Sequence, residues 1–358
     1  MRFYHFSFLI LLFIGASCNY SVPENIDHLE IPKLYLAHFT NIPPKIDGLQ
    51  DSTWEQAQWS DSFIDIEGTK IPKYDTHVKM LWDAHALYIL AKLEEPHIWG
   101  NLIQRDTVIF YNNDFEVFID PDGDTHDYME LEINALNTVW DLFLKRPYRN
   151  KVKVDNQWNI ETLLSAVSYQ GSLNNPSDTD QGWQLEIALP WESLRRGNLQ
   201  GSVPINQFWR INFSRVNWEH ALNNDRYDRK KDVNGNYLPE YNWVWSPQSA
   251  INMHMPELWG YVFFTDRKEQ KISAPEDAQL IQWMYGHYRE KLALEKKNLN
   301  IDQMHYALYK NQHVKFEKRI INDTLYWTTF NPENQKTYLI RYDGKFQILD
   351  LFLSLTFS

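Results

Sequence analysis

Asn113-Asp114-Phe115-Glu116-Val117-Phe118-Ile119-Asp120-Pro121 is the stretch on which the reading of this chain turns. Phe115, Val117 and Ile119 alternate with Asp114, Glu116 and Asp120, and Phe118 is the one apolar residue out of step. A period of two sends successive side chains to opposite faces, so the run predicts a half-buried strand carrying carboxylates on its second face. The same chemistry recurs outward along the chain. Met129, Leu131 and Ile133 oppose Glu130, Glu132 and Asn134; Trp183, Leu185, Ile187 and Leu189 oppose Gln184 and Glu186; Trp209, Ile211 and Phe213 oppose Arg210, Asn212 and Ser214. Val78 to Trp82 and Leu87 to Leu93 flank Asp83-Ala84-His85-Ala86, which predicts a hairpin. Only 190–196 resembles a short helix here. The expected fold class is therefore mainly β, an antiparallel β-sandwich over 38–265.

Past residue 265 the pattern changes. Ala274 to Lys297 has helical spacing, with Leu280, Trp283, Met284, His287 and Tyr288 on one side, and Pro275-Glu276-Asp277 suits a first helical turn. Leu325 to Phe330 and Thr337 to Tyr342 read as strands. Residues 266–358 are expected to form a small α+β appendage.

At the other end, Arg2, the apolar run Phe8 to Ile14 and the small residues Gly15-Ala16-Ser17 stand directly before Cys18. That order predicts a lipoprotein signal peptide over 1–17 and a lipid anchor on Cys18; residues 18–37, with little periodicity and with Pro23 and Pro32, are expected to form a tether that leads into the first strand. The run is too short to span a bilayer comfortably. An ordinary signal peptide followed by an incidental thiol is the plainer alternative. The expected location is outside the cytoplasm, lipid-anchored in a bacterial envelope, on the periplasmic face or the cell surface. Cys18 is the only cysteine, so no intrachain disulfide staples the fold. A net charge of −12 argues against nucleic acid or an anionic lipid surface as partner, leaving the anchor as the membrane contact.

The chain holds 15 Trp, 20 Tyr and 19 Phe. Flat side chains with a polar tip suit sugars, which are apolar on their faces and wet at their rims, although a large β core also uses aromatics.

Several blocks together resemble the family 9 carbohydrate-binding modules. They are Pro44-Lys45-Ile46-Asp47-Gly48 with Asp51 and Trp54, Val78 to Asp83, Leu87-Tyr88-Ile89, and Asn113 to Pro121. Trp183 through Pro190-Trp191, Trp209 to Phe213 and Pro256-Glu257-Leu258-Trp259-Gly260 continue the set in order. Glu95-Pro96-His97-Ile98-Trp99, Glu130 to Trp140 and Trp243 to Pro247 are similar to a branch found on exported proteins of Bacteroidota. The resemblance spans 38–265 and implies a β-sandwich that binds sugars, often at a chain end, and commonly carries structural calcium. It implies Glu116 as a sugar-bonding carboxylate and Asn212 as an amide on a neighbouring strand. The two sandwiching tryptophans of that family correspond here to Phe110 and the Asn252-Met253-His254 stretch, and a binding arginine falls near Glu132.

A pyranose site needs an aromatic plate and paired polar groups at its edge. Trp99, Phe110 and Trp140 are the candidate plates, and Asn113, Glu116, Glu132, Asn134, Arg210, Asn212 and His254 the candidate polar partners. Asp120, Asp122 and Asp124 offer oxygen ligands at alternate positions, which suits calcium, while a plain acidic hairpin turn accounts for them equally. Asp47 and Asp51 are candidates to pin the first turn. No H-E-x-x-H, G-x-S-x-G or phosphate-loop pattern occurs.

The reading favours non-catalytic carbohydrate binding in glycan capture or utilisation, with envelope proteins as further partners. The alternative is a glycoside hydrolase in carbohydrate catabolism, in which Glu116 and Glu132 flank a glycosidic bond. Two further readings are a haem-binding sandwich using Met253-His254, without the C-x-x-C-H needed for covalent attachment, and a protein-binding scaffold.

Overall fold

The computed structural model describes residues 24–147, 154–194, 203–223, 226–267, 271–299 and 304–350. The signal peptide, Cys18 and the first part of the tether lie outside the described residues.

Among the described residues twelve strands form one hydrogen-bonded sheet, ten of them along a path that folds into two packed layers. The path runs Val139–Leu144, Tyr128–Asn134, Asp114–Asp120, Phe208–Asn217, Gly260–Thr265, Leu34–Phe39, Thr76–Trp82, Ala86–Glu94, Gly182–Pro190 and Leu164–Gln170. Tyr241–Val244 and Ile64–Asp65 extend the first layer beyond Phe208–Asn217. Neighbours pair antiparallel except around Leu34–Phe39, which runs parallel to both Gly260–Thr265 and Thr76–Trp82. The odd-numbered Phe115, Val117, Ile119, Met129, Leu131, Ile133, Trp209, Ile211 and Phe213 share one core with Val78, Met80, Ile89 and Leu185 of the other layer. The apolar half of each alternation thus drives the layers together.

Among the described residues one ion pair, Arg215 with Glu95, enters this interior. Arg215 is fully buried, its Nη2 donates to Glu95 Oε2 and Asn217 Oδ1, each at 2.9 Å, and its Nη1 donates to Thr76 Oγ1 at 3.1 Å. On the outer face of the second layer, Glu186 accepts from Asp47 N, Gly48 N and Trp54 Nε1 and so pins the segment that covers it. Asp51 caps the short 3₁₀ turn Ser52–Gln56 through Thr53 N. Asp47 accepts from Leu49 N.

Most of the described part of the tether expected over 18–37 lies in elements of the fold. Glu24–Asn25 pairs with His305–Tyr309, Ile26 is buried in the core of the appended unit, and Leu34–Phe39 is a sandwich strand. The sandwich therefore begins at Leu34. Only Tyr35 and Ala37 point inward there, an alternation too short to fix the bounds of the first strand expected at the end of the tether. The short helix expected over 190–196 is replaced by the strand end Pro190 and a turn at 191–194, the rest lying outside the described residues.

Among the described residues the appended unit is a six-stranded sheet: Glu24–Asn25, His305–Tyr309, Gln312–Ile321, Thr324–Asn331, Lys336–Arg341 and Phe346–Asp350. One helix, Ala278–Lys296, lays Leu280, Trp283, Met284 and Tyr288 on Phe316, Trp327, Tyr338 and Ile340. It starts at Ala278 because Pro275 can only open a turn, and Ala278 N donates back to Pro275 O. Among the described residues no helix is long and apolar enough to cross a membrane.

The unit docks on the sandwich through the 342–345 turn. Thr125 Oγ1 donates to Gly344 O at 2.9 Å, Phe346 N donates to Asp124 O, and Lys345 Nζ lies 2.7 Å from Asp124 Oδ2. Asp343 faces His126 and Arg146. Its carboxyl is held well below the ordinary range by the hydrogen bonds and charges of His126 and Arg341, which outweigh its burial.

Candidate functional site

The even-numbered residues of the first layer face away from the core, and they build the site. Strand register sets them out as a grid. One row reads Val244, Ser214, Glu116, Glu132 and Trp140; the next reads Asn212, Phe118, Glu130 and Leu142. Directly opposed residues on antiparallel strands hold their Cβ atoms about 4.5–5.5 Å apart, and like charges in that position destabilise a sheet. Glu116 and Glu132 are such a pair, with Glu130 diagonal to Glu116. All three carboxylates are more than nine-tenths buried.

They floor a groove of about 540 Å³, within the usual range for small-molecule sites. Phe110, Trp140 and Leu142 form one wall, with Phe118 on the floor; Met253, His254, Asn242 and Glu240 stand on the other side. Phe110 sits on the 3₁₀ turn Ile109–Tyr111. Its N–H donates to Glu132 Oε2 at 3.1 Å and its carbonyl accepts from Trp218 Nε1 at 2.8 Å, so the ring is presented by a clamped backbone. Phe110 and Trp140 have ring centroids 6.4 Å apart and planes 30° apart, a broad aromatic surface. Trp140 Nε1 has no hydrogen-bond partner among the described residues.

His254 is placed by its backbone N–H on Asn252 Oδ1 and by a 2.7 Å hydrogen bond between Nδ1 and Tyr128 Oη. Its Nε2 lies 4.0 Å from Glu130 Oε2. No described residue donates a hydrogen bond to the Glu130 carboxylate, which opens into the groove.

Burial dominates the electrostatics. It raises Glu116 from 4.5 to about 7. Glu130 is raised well above the usual carboxylate range by burial and then by Glu116; Glu132 is raised by burial, then by Glu116, Asp114 and Glu130. An acidic cluster so poorly solvated favours a ligand that donates hydrogen bonds or brings positive charge.

Of the residues expected in the site, Phe110, Glu116, Glu132, Trp140 and His254 converge on this groove. The others do not. Trp99 faces a separate cavity, stacked on Tyr227 and donating to His220 Nδ1. Asn113 bonds Glu95 and Trp218 N; Asn134 holds Leu102 O and the 136–138 turn. Arg210 lies against the Tyr261 ring and donates to Trp259 O, and Asn212 bonds both backbone groups of Ser246. Asn113, Asn134, Arg210 and Asn212 are each buried and satisfied by the scaffold, which is the usual condition for burial. Glu130, Phe118 and Glu240 were absent from the expected set. Alternation places Glu130 beside Glu132, and the out-of-step Phe118 marked an apolar patch on the polar face. Glu240 precedes a four-residue strand and carries no such signal.

The Asp120, Asp122 and Asp124 turn lies at the end of the same sheet. Each offers an oxygen within 4.8 Å of the others, donor chemistry that fits a hard cation. Asp120 also accepts from Gly123 N and Thr125 N, and Lys345 brings a positive charge to Asp124.

Fold and site together define a β-sandwich domain with a groove on one sheet face, floored by carboxylates and walled by aromatics. Residues 46–212 match the family model described as carbohydrate family 9 binding domain-like, in agreement with the resemblance read from the sequence. A family 9 carbohydrate-binding module from Caldicellulosiruptor kristjanssonii in complex with cellotriose is similar at 16% identity, over 68% of this chain and 99% of that one, with a TM-score of 0.42. The same organism's module in complex with glucose gives 15%, 68%, 100% and 0.42. A candidate carbohydrate-binding protein from Bacteroides uniformis ATCC 8492 gives 15% identity, 65% and 99% coverage and a TM-score of 0.48. No curated protein matches the chain.

Proposed function

We propose that this protein binds carbohydrate in the Phe110–Trp140 groove without catalysis, as a lipoprotein tethered by Cys18 to a bacterial envelope, where it captures glycans for use by partner proteins. The observation that carries the reading is the pairing of a clamped aromatic wall with buried carboxylates in one groove. A sugar ring laid on Phe110 and Trp140 would turn its hydroxyl edge toward Glu116, Glu130 and Glu132. Those carboxylates lie side by side on one floor, whereas glycoside hydrolysis uses two carboxyls on opposite sides of a bond. A calcium ion on Asp120, Asp122 and Asp124 would brace the sheet end below the groove.

Glycan-array screening followed by calorimetry, with calcium and with chelator, tests the binding. Saturable sugar binding that Trp140→Ala weakens is the expected result, and absence of binding to any glycan refutes it. A parallel assay for released reducing ends separates binding from hydrolysis. For the anchor, Cys18→Ser is expected to shift the protein from the membrane fraction to the soluble one; retention in the membrane refutes it.

A further inference from the structure

We propose that the groove selects amino sugars whose amine is free, the ammonium group sitting over Glu116, Glu130 and Glu132; this rests on the carbohydrate reading above. Three observations carry it. First, the groove carries four glutamates, Glu116, Glu130, Glu132 and Glu240, and among its described lining residues no lysine or arginine. Second, the register places two of these carboxylates directly opposite each other and the third on the diagonal. That arrangement is unfavourable for the sheet alone and is relieved by a cation between them. Third, Glu130 is more than nine-tenths buried, opens into the groove and receives no hydrogen bond from a described residue. Its nearest cationic neighbour is His254 Nε2, 4.0 Å from Oε2 and beyond hydrogen-bond reach.

A hydroxyl would satisfy one such acceptor. An ammonium group offers three donors and a positive charge from a single point, which matches the facing pair Glu116 and Glu132, with Glu130 on the diagonal, better than any neutral substituent. Acetylation removes the charge and two of the donors. His254 and Tyr128 bound the cluster through their mutual hydrogen bond, and Asp114 lies behind it in the same sheet. The aromatic wall then carries the ring faces, so sugar stacking and amine recognition use different parts of the groove.

The test uses the full chain in detergent and an array presenting each sugar in free-amine, N-acetyl and hydroxyl forms. Calorimetry on the best-matched trio follows, between pH 5 and pH 9 and with chelator throughout. The expected result is at least tenfold tighter binding of the free amine than of either partner near pH 7.5. The preference should fall at low pH as the carboxylates gain protons and at high pH as the amine loses its own. Glu130→Gln and Glu132→Gln are expected to bring the free-amine affinity down to that of the hydroxyl form while the near-ultraviolet circular dichroism stays unchanged. Equal affinity for the three forms overturns this inference and leaves sugar binding standing. Binding of none of them overturns both. A preference that appears only when calcium is restored also overturns it, because the cation recognised would then be a metal.

Discussion

Replacing Glu116 with glutamine keeps the shape of the side chain and removes one charge from the floor of the groove. The folded carboxyl titrates at about 7, against an ordinary value of 4.5. A gap of that size corresponds to roughly 3 kcal/mol, at about 1.4 kcal/mol for each tenfold change in proton affinity. The sign follows from linkage. The folded protein holds this proton more tightly than the unfolded chain, so the contribution is fully present below pH 4.5 and lost as pH rises through about 7. Glutamine does not titrate. Glu116→Gln should therefore match the wild type near pH 4.5 and exceed it by up to about 3 kcal/mol at pH 8.5. For a domain of this size that is roughly 6–12 °C in melting temperature. Thermal melts of both proteins across pH 4.5–8.5, without ligand, provide the measurement. A difference that does not change with pH, or a variant less stable than wild type at pH 8.5, would refute the claim that the floor stores unfavourable charge.

Other perturbations separate scaffold from site. Trp140→Ala should weaken sugar binding by about ten- to a hundredfold, the value of one lost aromatic platform, with little change in the core; calorimetry beside a thermal melt distinguishes the two effects. Arg215→Ala leaves Glu95 buried without its partner and should cost about 3–5 kcal/mol, read by urea unfolding monitored through tryptophan fluorescence. Lys345→Ala removes the positive charge from Asp124. If the turn takes calcium, this variant should show a larger rise in melting temperature on calcium addition than the wild type; equal rises would show that Lys345 and the ion do not compete.

The alternation in 113–121 and its echoes at 129–134, 183–189 and 208–216 was enough to assign the strands, the core residues and the polar face, because side-chain direction in a strand depends only on position parity. It also placed Glu116, Glu130 and Glu132 on one face. What parity cannot say is whether that face meets water or a covering wall, and which polar residues on it are already satisfied. Asn134, Arg210 and Asn212 share the parity of Glu116, yet their partners are Leu102, Trp259 and Ser246, at sequence separations that no local pattern encodes. Trp99 belongs to the same family-like block as its neighbours and faces a different cavity. The part of the 18–37 tether that is described is committed to two separate sheets by partners found far along the chain.

The sequence by itself determined the class of fold, the carboxylate-bearing face and Cys18 as the expected lipid anchor, since each depends on composition, order or a period of two. Only the tertiary structure decided that Phe110, Trp140 and His254 close around Glu116, Glu130 and Glu132. Strand register and the covering loops set which even-numbered residues remain unsatisfied, and these are properties of pairing between distant segments.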